Sequence, residues 1–476
     1  MATESEESLS LEPPRSATTN STSDVSCPAC PQQVKLPGYD DVFPIARLAC
    51  ARLGPRSWLW ATPPQLETLI GELQDVPERY LQAAEQLFGP CPWTSLNLLV
   101  MSASFPEDFA VVSETACVSP CVLTGGRSLL HILTHVVAYA WFGRFQPSGA
   151  DCSGASWLPA GLLALARRRL LAKMHGEEVA SLEAHLGQRC WRRYRSEAAA
   201  TENSEADGKK ADLEGKAHLS ACERGFAFLA HLQHCASTGA DDEAFYRWLM
   251  QFCSAAQCNT LVAEDLLTSF FEAFPHCQES LKPEIIASWL SGAEPPWLPD
   301  CRDQAKSSTT PVDKIVHAWE MIVPTEVLGG NEDKTTKLIL RTAVHVKLRW
   351  NFYQVLYLLE SFEATQAVYR SSILKLGDAY GFNTSANAEV LARWCRLLIR
   401  HNCQDHLPVV RSFLLAQGAP KYTLPIYRSL VERAKQEVKW KWIAKDLWEK
   451  ATDHLDTAVK SEVEAILGRA QCLGVF

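Results

Sequence analysis

A chain of 476 residues, 47% apolar and 21% charged, has enough hydrophobic sequence for two or three cores and is neither fibrous nor disordered throughout. Its formal charge of -9 argues against a broad nucleic-acid surface, which needs clustered cations to displace counterions. Its two dense basic spots, Arg167-Arg168-Arg169 and Trp191 to Arg195 (WRRYR), read as solvated helix faces or as partners of internal carboxylates.

In chain order, residues 1–36 are rich in Ser, Thr, Glu and Pro and read as a disordered tail, without the basic and apolar regions of a signal peptide. The 17 cysteines, in a chain with no secretory signal, point to reduced thiols and a cytoplasmic setting. Cys27 and Cys30 form a lone CxxC with no second pair to complete a zinc ribbon. From Tyr39 the composition becomes globular. Leu96 to Met101 has the length and apolarity of a buried strand, and Leu129 to Ala140 and Gly161 to Leu171 are apolar enough on all sides to be core helices. No apolar run is long enough for a membrane span. Ser196 to Lys216 has the composition of a mobile loop. Prolines near Glu294 to Asp300 end regular structure, and Arg302 to Pro311 reads as a linker. Beyond it, Phe352, Val355, Leu356 and Leu359, and again Leu391, Trp394, Cys395 and Leu398, repeat at helical spacing. The last third is therefore expected to be a stack of helices, and the whole chain mainly α with an α+β part.

One segment, LHILTHVVAYAWFGRF (Leu130 to Phe145), bears on chemistry. A helix carrying H-E-x-x-H sets two metal-binding His one turn apart, with a Glu beside them as general base. Here His135 stands at the first His, Val136 at the Glu and Tyr139 at the second His. Between Phe109 and Ala160 the only carboxylates are Glu114 and Asp151, neither on the His135 helix. A hydrolytic zinc needs three protein ligands, an open position and a base, and Val136 cannot take a proton. His131 and His135 are spaced i, i+4, so a metal site displaced by one turn, with Cys152, Asp151 or Glu114 as third ligand, is the alternative. Two core histidines bonded to backbone would give the same spacing.

Several landmarks occur in a particular order: LGPRSWLW (Leu53 to Trp60), FGPCPWTSLNLLV (Phe88 to Val100), SFP (Ser104 to Pro106), His135 with AWFG (Ala140 to Gly143), and WLPAG (Trp157 to Gly161). EDLLTSFFEAFP (Glu264 to Pro275), ASWL (Ala287 to Leu290), NAEV (Asn387 to Val390) with Arg393-Trp394, and KYTLPIYRSL (Lys421 to Leu430) follow. Together they resemble the aminopeptidase B and leukotriene A-4 hydrolase branch of the zinc aminopeptidases, over roughly residues 37–470. The resemblance implies a thermolysin-like domain over residues 37–301, a linker at 302–311 and an α-helical, repeat-like domain over 312–476, without that branch's N-terminal β domain. It also implies that the amine-recognising Glu falls on Val111, the third zinc ligand on Ala160 and the oxyanion-steadying Tyr on Cys222, leaving His135 as the remnant of the metal site. Lys421 stands where a basic residue helps recognise the substrate's carboxyl end, while a nearby Arg position is Ala419; a solvated surface charge is the other reading of Lys421.

The resulting expectation is a non-catalytic homologue without a cofactor, acting through a protein or peptide partner and not through nucleic acid or membrane. One alternative is a zinc-dependent aminopeptidase with a rearranged site at His131 and His135. A third reading is a helical adaptor that works through its C-terminal stack. An apolar face left by the missing β domain would be covered by the tail or by another protein.

Overall fold

The computed structural model describes residues 33–35, 42–44, 48–102, 105, 107–120, 131–145, 157–201, 210–237, 242–256, 261–290, 297–322, 350–365 and 368–472. Cys27, Cys30, Asp151 and Cys152 lie outside these residues. The expected tail gives way to structure at its end, where β1 (Gln33–Lys35) pairs antiparallel with β2 (Val42–Pro44).

A five-stranded mixed sheet follows, built from β3 (Ala49–Arg52), β4 (Ser57–Ala61), β5 (Leu96–Val100), β6 (Phe109–Val112) and β7 (Thr115–Val118) in the order β3-β4-β5-β7-β6. β4, β5 and β7 run parallel and carry near-continuous apolar sequence, SWLWA and LNLLV in the first two, as strands covered on both faces require. β3 and β6 close the edges antiparallel. Helices α1 (Pro63–Leu73), α2 (Val76–Phe88), α3 (Ile132–Phe142), α4 (Trp157–His175), α5 (Glu177–Thr201) and α6 (Lys210–Ala236) come next, then α7 (Asp242–Ala255), α8 (Ala263–Ala273) and α9 (Pro283–Leu290). The strand expected near Leu96 and the helices expected around His135 and Gly161 are therefore present.

The loop expected over residues 196–216 is shorter than its composition implies, because α5 runs on to Thr201 and α6 begins at Lys210. The expected linker is also corrected. Residues 302–311 fall in α10 (Cys301–Gln304) and α11 (Lys306–Glu320), where Asp300 caps α10 by accepting the Asp303 N–H at 3.0 Å. Ala305, Ser308 and Thr309 are buried there, and the buried Gln354 side chain donates to the Ser308 carbonyl at 2.9 Å. Ser and Thr on a packed helix face were indistinguishable by composition from a solvated linker.

The remaining helices are α12 (Phe352–Ala364), α13 (Arg370–Tyr380), α14 (Ala388–Arg400), α15 (Leu407–Ala416), α16 (Pro420–Ala434), α17 (Lys439–Ala451) and α18 (Thr457–Cys472). Asn351 and Gln354 form a reciprocal capping box at the start of α12, and Asn387 caps α14 by accepting the N–H groups of Glu389 and Val390. Two cores result. One joins the sheet to α1–α4 and α6–α9. The other fills α11–α18 and takes in Leu171, Ala180, Leu182 and Leu186 from α4 and α5. Trp289 in the first core, and Trp319, Trp394 and Trp440 in the second, are fully buried, each removing on the order of 200 Å² of largely apolar surface from water. Among the described residues no helix is long and apolar enough to cross a membrane.

Candidate functional site

α3, α4 and α6 pack side by side and present to one region the positions that sequence reasoning singled out. The approach of α4 to α6 is set by glycine. A Cβ on Gly161 would lie 2.2 Å from the backbone of Gly225, and one on Gly225 would lie 2.2 Å from the Trp157 carbonyl oxygen.

On this floor Val136 is 0% exposed and Ala160 2%, both buried among apolar groups. Tyr139, on the turn after His135, lies against the backbone of Gly143, where a Cβ would meet its ring at 2.2 Å. Burial raises the Tyr139 phenol above its ordinary value, which keeps it protonated. His135 meets the ring of Phe109 edge to face at 5.4 Å. Its imidazole is held well below its usual pKa, first by burial and then by the positive charges of Arg167, His131, His218 and Arg168. Val111, on the edge strand β6, is half-buried against the sheet core and offers no carboxylate for an amine.

The displaced alternative fares no better as a metal shell. His131 stacks on Phe352 at 4.9 Å, whereas His135 turns to Phe109, so each imidazole has its own aromatic partner. Glu114 is taken up by the backbone and hydroxyl groups of Thr94 and Ser95, at 2.8 to 3.2 Å. Among the described residues no three of His, Cys, Asp and Glu gather as a metal ion would require. Among the described residues, the expected ligand positions hold His135 in a cationic surrounding with Val136, Tyr139 and Ala160, a donor set that does not fit zinc.

Cys222 on α6 sits 3.5 Å from His218 Nε2, one turn earlier on the same helix. His218 is raised to about 9, first by the Cys222 sulfur, with burial opposing and Glu107 assisting. Sequence reasoning found Cys222 but not its partner, although the i, i+4 spacing was there to be read.

Lys421 is a partly exposed surface charge that is fully engaged by neighbours. It bonds to Asp108 and, at 2.6 Å, to Glu389, and it lies 4.4 Å over the Tyr422 ring. Tyr422 donates to Glu389 at 2.9 Å, and Arg393 binds both Glu389 and Glu360. Burial opposes the Lys421 charge, but Asp108 and Glu389 outweigh it and hold the ammonium above its usual value. Glu389 is held low against burial by Lys421 and Arg393, whereas burial and the Glu389 charge leave Asp108 raised. Asp108 is thus the weaker of two carboxylates sharing one ammonium. Asp108 and Lys421 lie 313 residues apart, so no local signal could have paired them.

Beneath the floor lies a buried ionic frame. Arg168 bridges Glu183 at 2.7 Å and Glu223 at 2.5 Å, and Arg167 binds Glu183 at 2.6 Å. The Arg224 guanidinium lies 5.1 Å over Trp157 and donates to the Trp289 carbonyl. Trp289 Nε1 donates to His231 at 3.2 Å, and Trp141 donates to the Gly89 carbonyl at 3.2 Å. Trp141, Trp157, Trp289 and Gly89, all in the ordered landmarks of the sequence, are packing residues.

The family described as leukotriene A4 hydrolase, C-terminal, matches residues 350–467. Aminopeptidase B of Homo sapiens is 28% identical over 444 residues, 91% of this chain and 65% of that protein. Leukotriene A-4 hydrolase of Xenopus laevis is 23% identical over 85% of this chain and 64% of that protein. These matches support a likeness to the aminopeptidase B and leukotriene A-4 hydrolase branch over most of the chain. It spans 65% of the length of the aminopeptidase B relatives. The yeast LTA4 hydrolase structure in complex with bestatin shares the fold, with a TM-score of 0.70 at 20% identity over 88% of this chain and 67% of that one. The branch's fold is thus present in this chain, including an all-helical C-terminal part.

Proposed function

We propose that this aminopeptidase B-like chain binds a protein or peptide without hydrolysing it. The observation that carries the reading is the floor formed by α3 and α4: Val136 and Ala160 are buried apolar residues where a base and a metal ligand would be needed, and Arg167 and Arg168 disfavour a cation beside His135. Water activation needs a ligand set and a proton acceptor, and these side chains supply neither. The buried ionic frame around these helices is intact, which supports a folded scaffold able to present a binding surface.

A second reading rests on the names of the relatives, which are aminopeptidases and leukotriene hydrolases. On that reading the chain removes N-terminal residues from peptides, with zinc held by His131, His135 and a residue outside those described. A panel of fluorogenic aminoacyl substrates separates the two. The binding reading expects no turnover above that of a chain carrying His131→Ala and His135→Ala, with or without added zinc. Zinc-dependent turnover abolished by either substitution would establish the second.

A further inference from the structure

The two basic runs of the sequence meet different fates. Arg167, Arg168 and Arg169 on α4 are each matched by a carboxylate, from Glu183, Glu223 or Glu243. On α5, Arg193 is answered by Glu360 and Glu363. Among the described residues, Arg189 and Arg192 have no carboxylate within ion-pair distance; both line a cleft of about 640 Å³ between α5, the segment 298–302 and α12. His185, Gln188, Arg189 and Arg192 fall at i, i+3, i+4 and i+7, so one face of α5 forms the wall.

The base of the cleft is rigid and its rim is cationic. His185 is 7% exposed and Gln188 3%. The Gln188 amide donates to the Pro299 carbonyl at 3.2 Å, tying α5 to the segment opposite. Tyr357 closes the far side, with its ring 5.8 Å from His185 and 5.0 Å from the Arg189 guanidinium, and its hydroxyl donates to Asp313 at 2.8 Å. Arg302 enters from the segment and reaches Asp313 only at 3.7 Å. His185 is lowered to about 4, first by burial and then by Arg189, Arg302 and Arg192, with Glu360 opposing, so all three guanidiniums act on the same spot. Asp300 is the acidic lining residue, and one of its oxygens already caps α10. With Arg302 held by Asp313, Arg189 and Arg192 remain without a carboxylate partner against one lining carboxylate, an excess of positive charge in a chain whose net charge is -9. Like charges at i and i+3 on a helix repel, so Arg189 and Arg192 side by side carry a cost that a bound anion would remove.

We propose that this cleft is a binding site for a small phosphate ester carrying at least two phosphoryl groups. Guanidinium forks bind phosphate oxygens in pairs, and three of them around one volume suit a ligand of several negative charges better than a single carboxylate. The volume lies in the range of small-molecule sites, and the recessed base, walled by His185 and Tyr357, fits a compact ligand. Because α5 contributes to the second core and the segment leads out of the first, an occupant would also fix one core against the other.

Calorimetric titration of the full chain with fructose 1,6-bisphosphate and with inorganic pyrophosphate, using citrate as the carboxylate comparison, tests this. Saturable binding of one bisphosphate per chain is expected, with citrate much weaker. Arg192→Gln, at an exposed position that does not endanger folding, should weaken binding by about tenfold or more, the loss of a charge-assisted bond. Arg192→Lys should recover only part of it, and Arg195→Gln, whose guanidinium lies 5.5 Å over Trp191, should leave it unchanged. Absence of saturable binding to either phosphate at millimolar concentration overturns the proposal. So does citrate binding as tightly, or an equal loss in Arg192→Gln and Arg195→Gln.

Discussion

The floor around His135 and the ionic frame beside it lie on the same helices and have opposite characters. On the frame, polar and small residues are tied to specific partners: Arg168 to Glu183 and Glu223, Arg224 to Trp157 and Trp289, Gly161 against Gly225. On the floor, Val136, Ala160 and Tyr139 fill space. The ordered landmarks in the sequence are therefore mostly frame, so the likeness to a peptidase branch is carried by residues that fold the chain and does not by itself carry the chemistry.

The largest effects should come from breaking the frame. Glu223→Ala leaves Arg168 buried with a single shared carboxylate, and Gly225→Val drives a side chain into the Trp157 carbonyl. Each should lower stability by about 3–5 kcal/mol in denaturant melts. A loss below about 1 kcal/mol in both would remove the distinction between frame and floor.

Charging the floor is the next test. Val136→Glu supplies a base but no ligand shell, so it should give no zinc-dependent hydrolysis. It should also destabilise by about 2 kcal/mol, because a carboxylate enters a fully buried site. Hydrolysis by this single variant would show that a metal shell already exists.

Smaller effects are expected at Lys421, where the sign depends on pH. Glu389 is held below its ordinary value, so its contribution is present above that value and is lost as pH falls through the lower folded pKa. Asp108 is raised, so its charge weighs against folding once pH rises through the raised value. At pH 7 Glu389→Gln should cost about 2 kcal/mol and Asp108→Asn close to nothing, and the difference should shrink in melts near pH 3. Equal losses at both pH values would mean that the two carboxylates share Lys421 evenly.

The helices around His135 and Gly161, the strand at Leu96 and the helical last third were legible because apolar period and length identify such elements directly. Residues 302–311 were not, since buried Ser308 and Thr309 look like linker residues until α12 places Gln354 over them. That Val136 and Ala160 carry no metal-binding side chain follows from residue type alone; that both are buried does not. The engagement of Lys421 and the difference between the α4 and α5 arginines were not legible, because each depends on partners distant in sequence.

Zinc content of the purified chain is the most direct test of the floor. After equilibration with zinc and passage over a chelating resin, the native chain should retain far less than one zinc per molecule. A chain carrying Val136→Glu, Tyr139→His and Ala160→Glu is the comparison that has the ligands restored. One tightly held zinc in the native chain, lost on His135→Ala, would contradict the account.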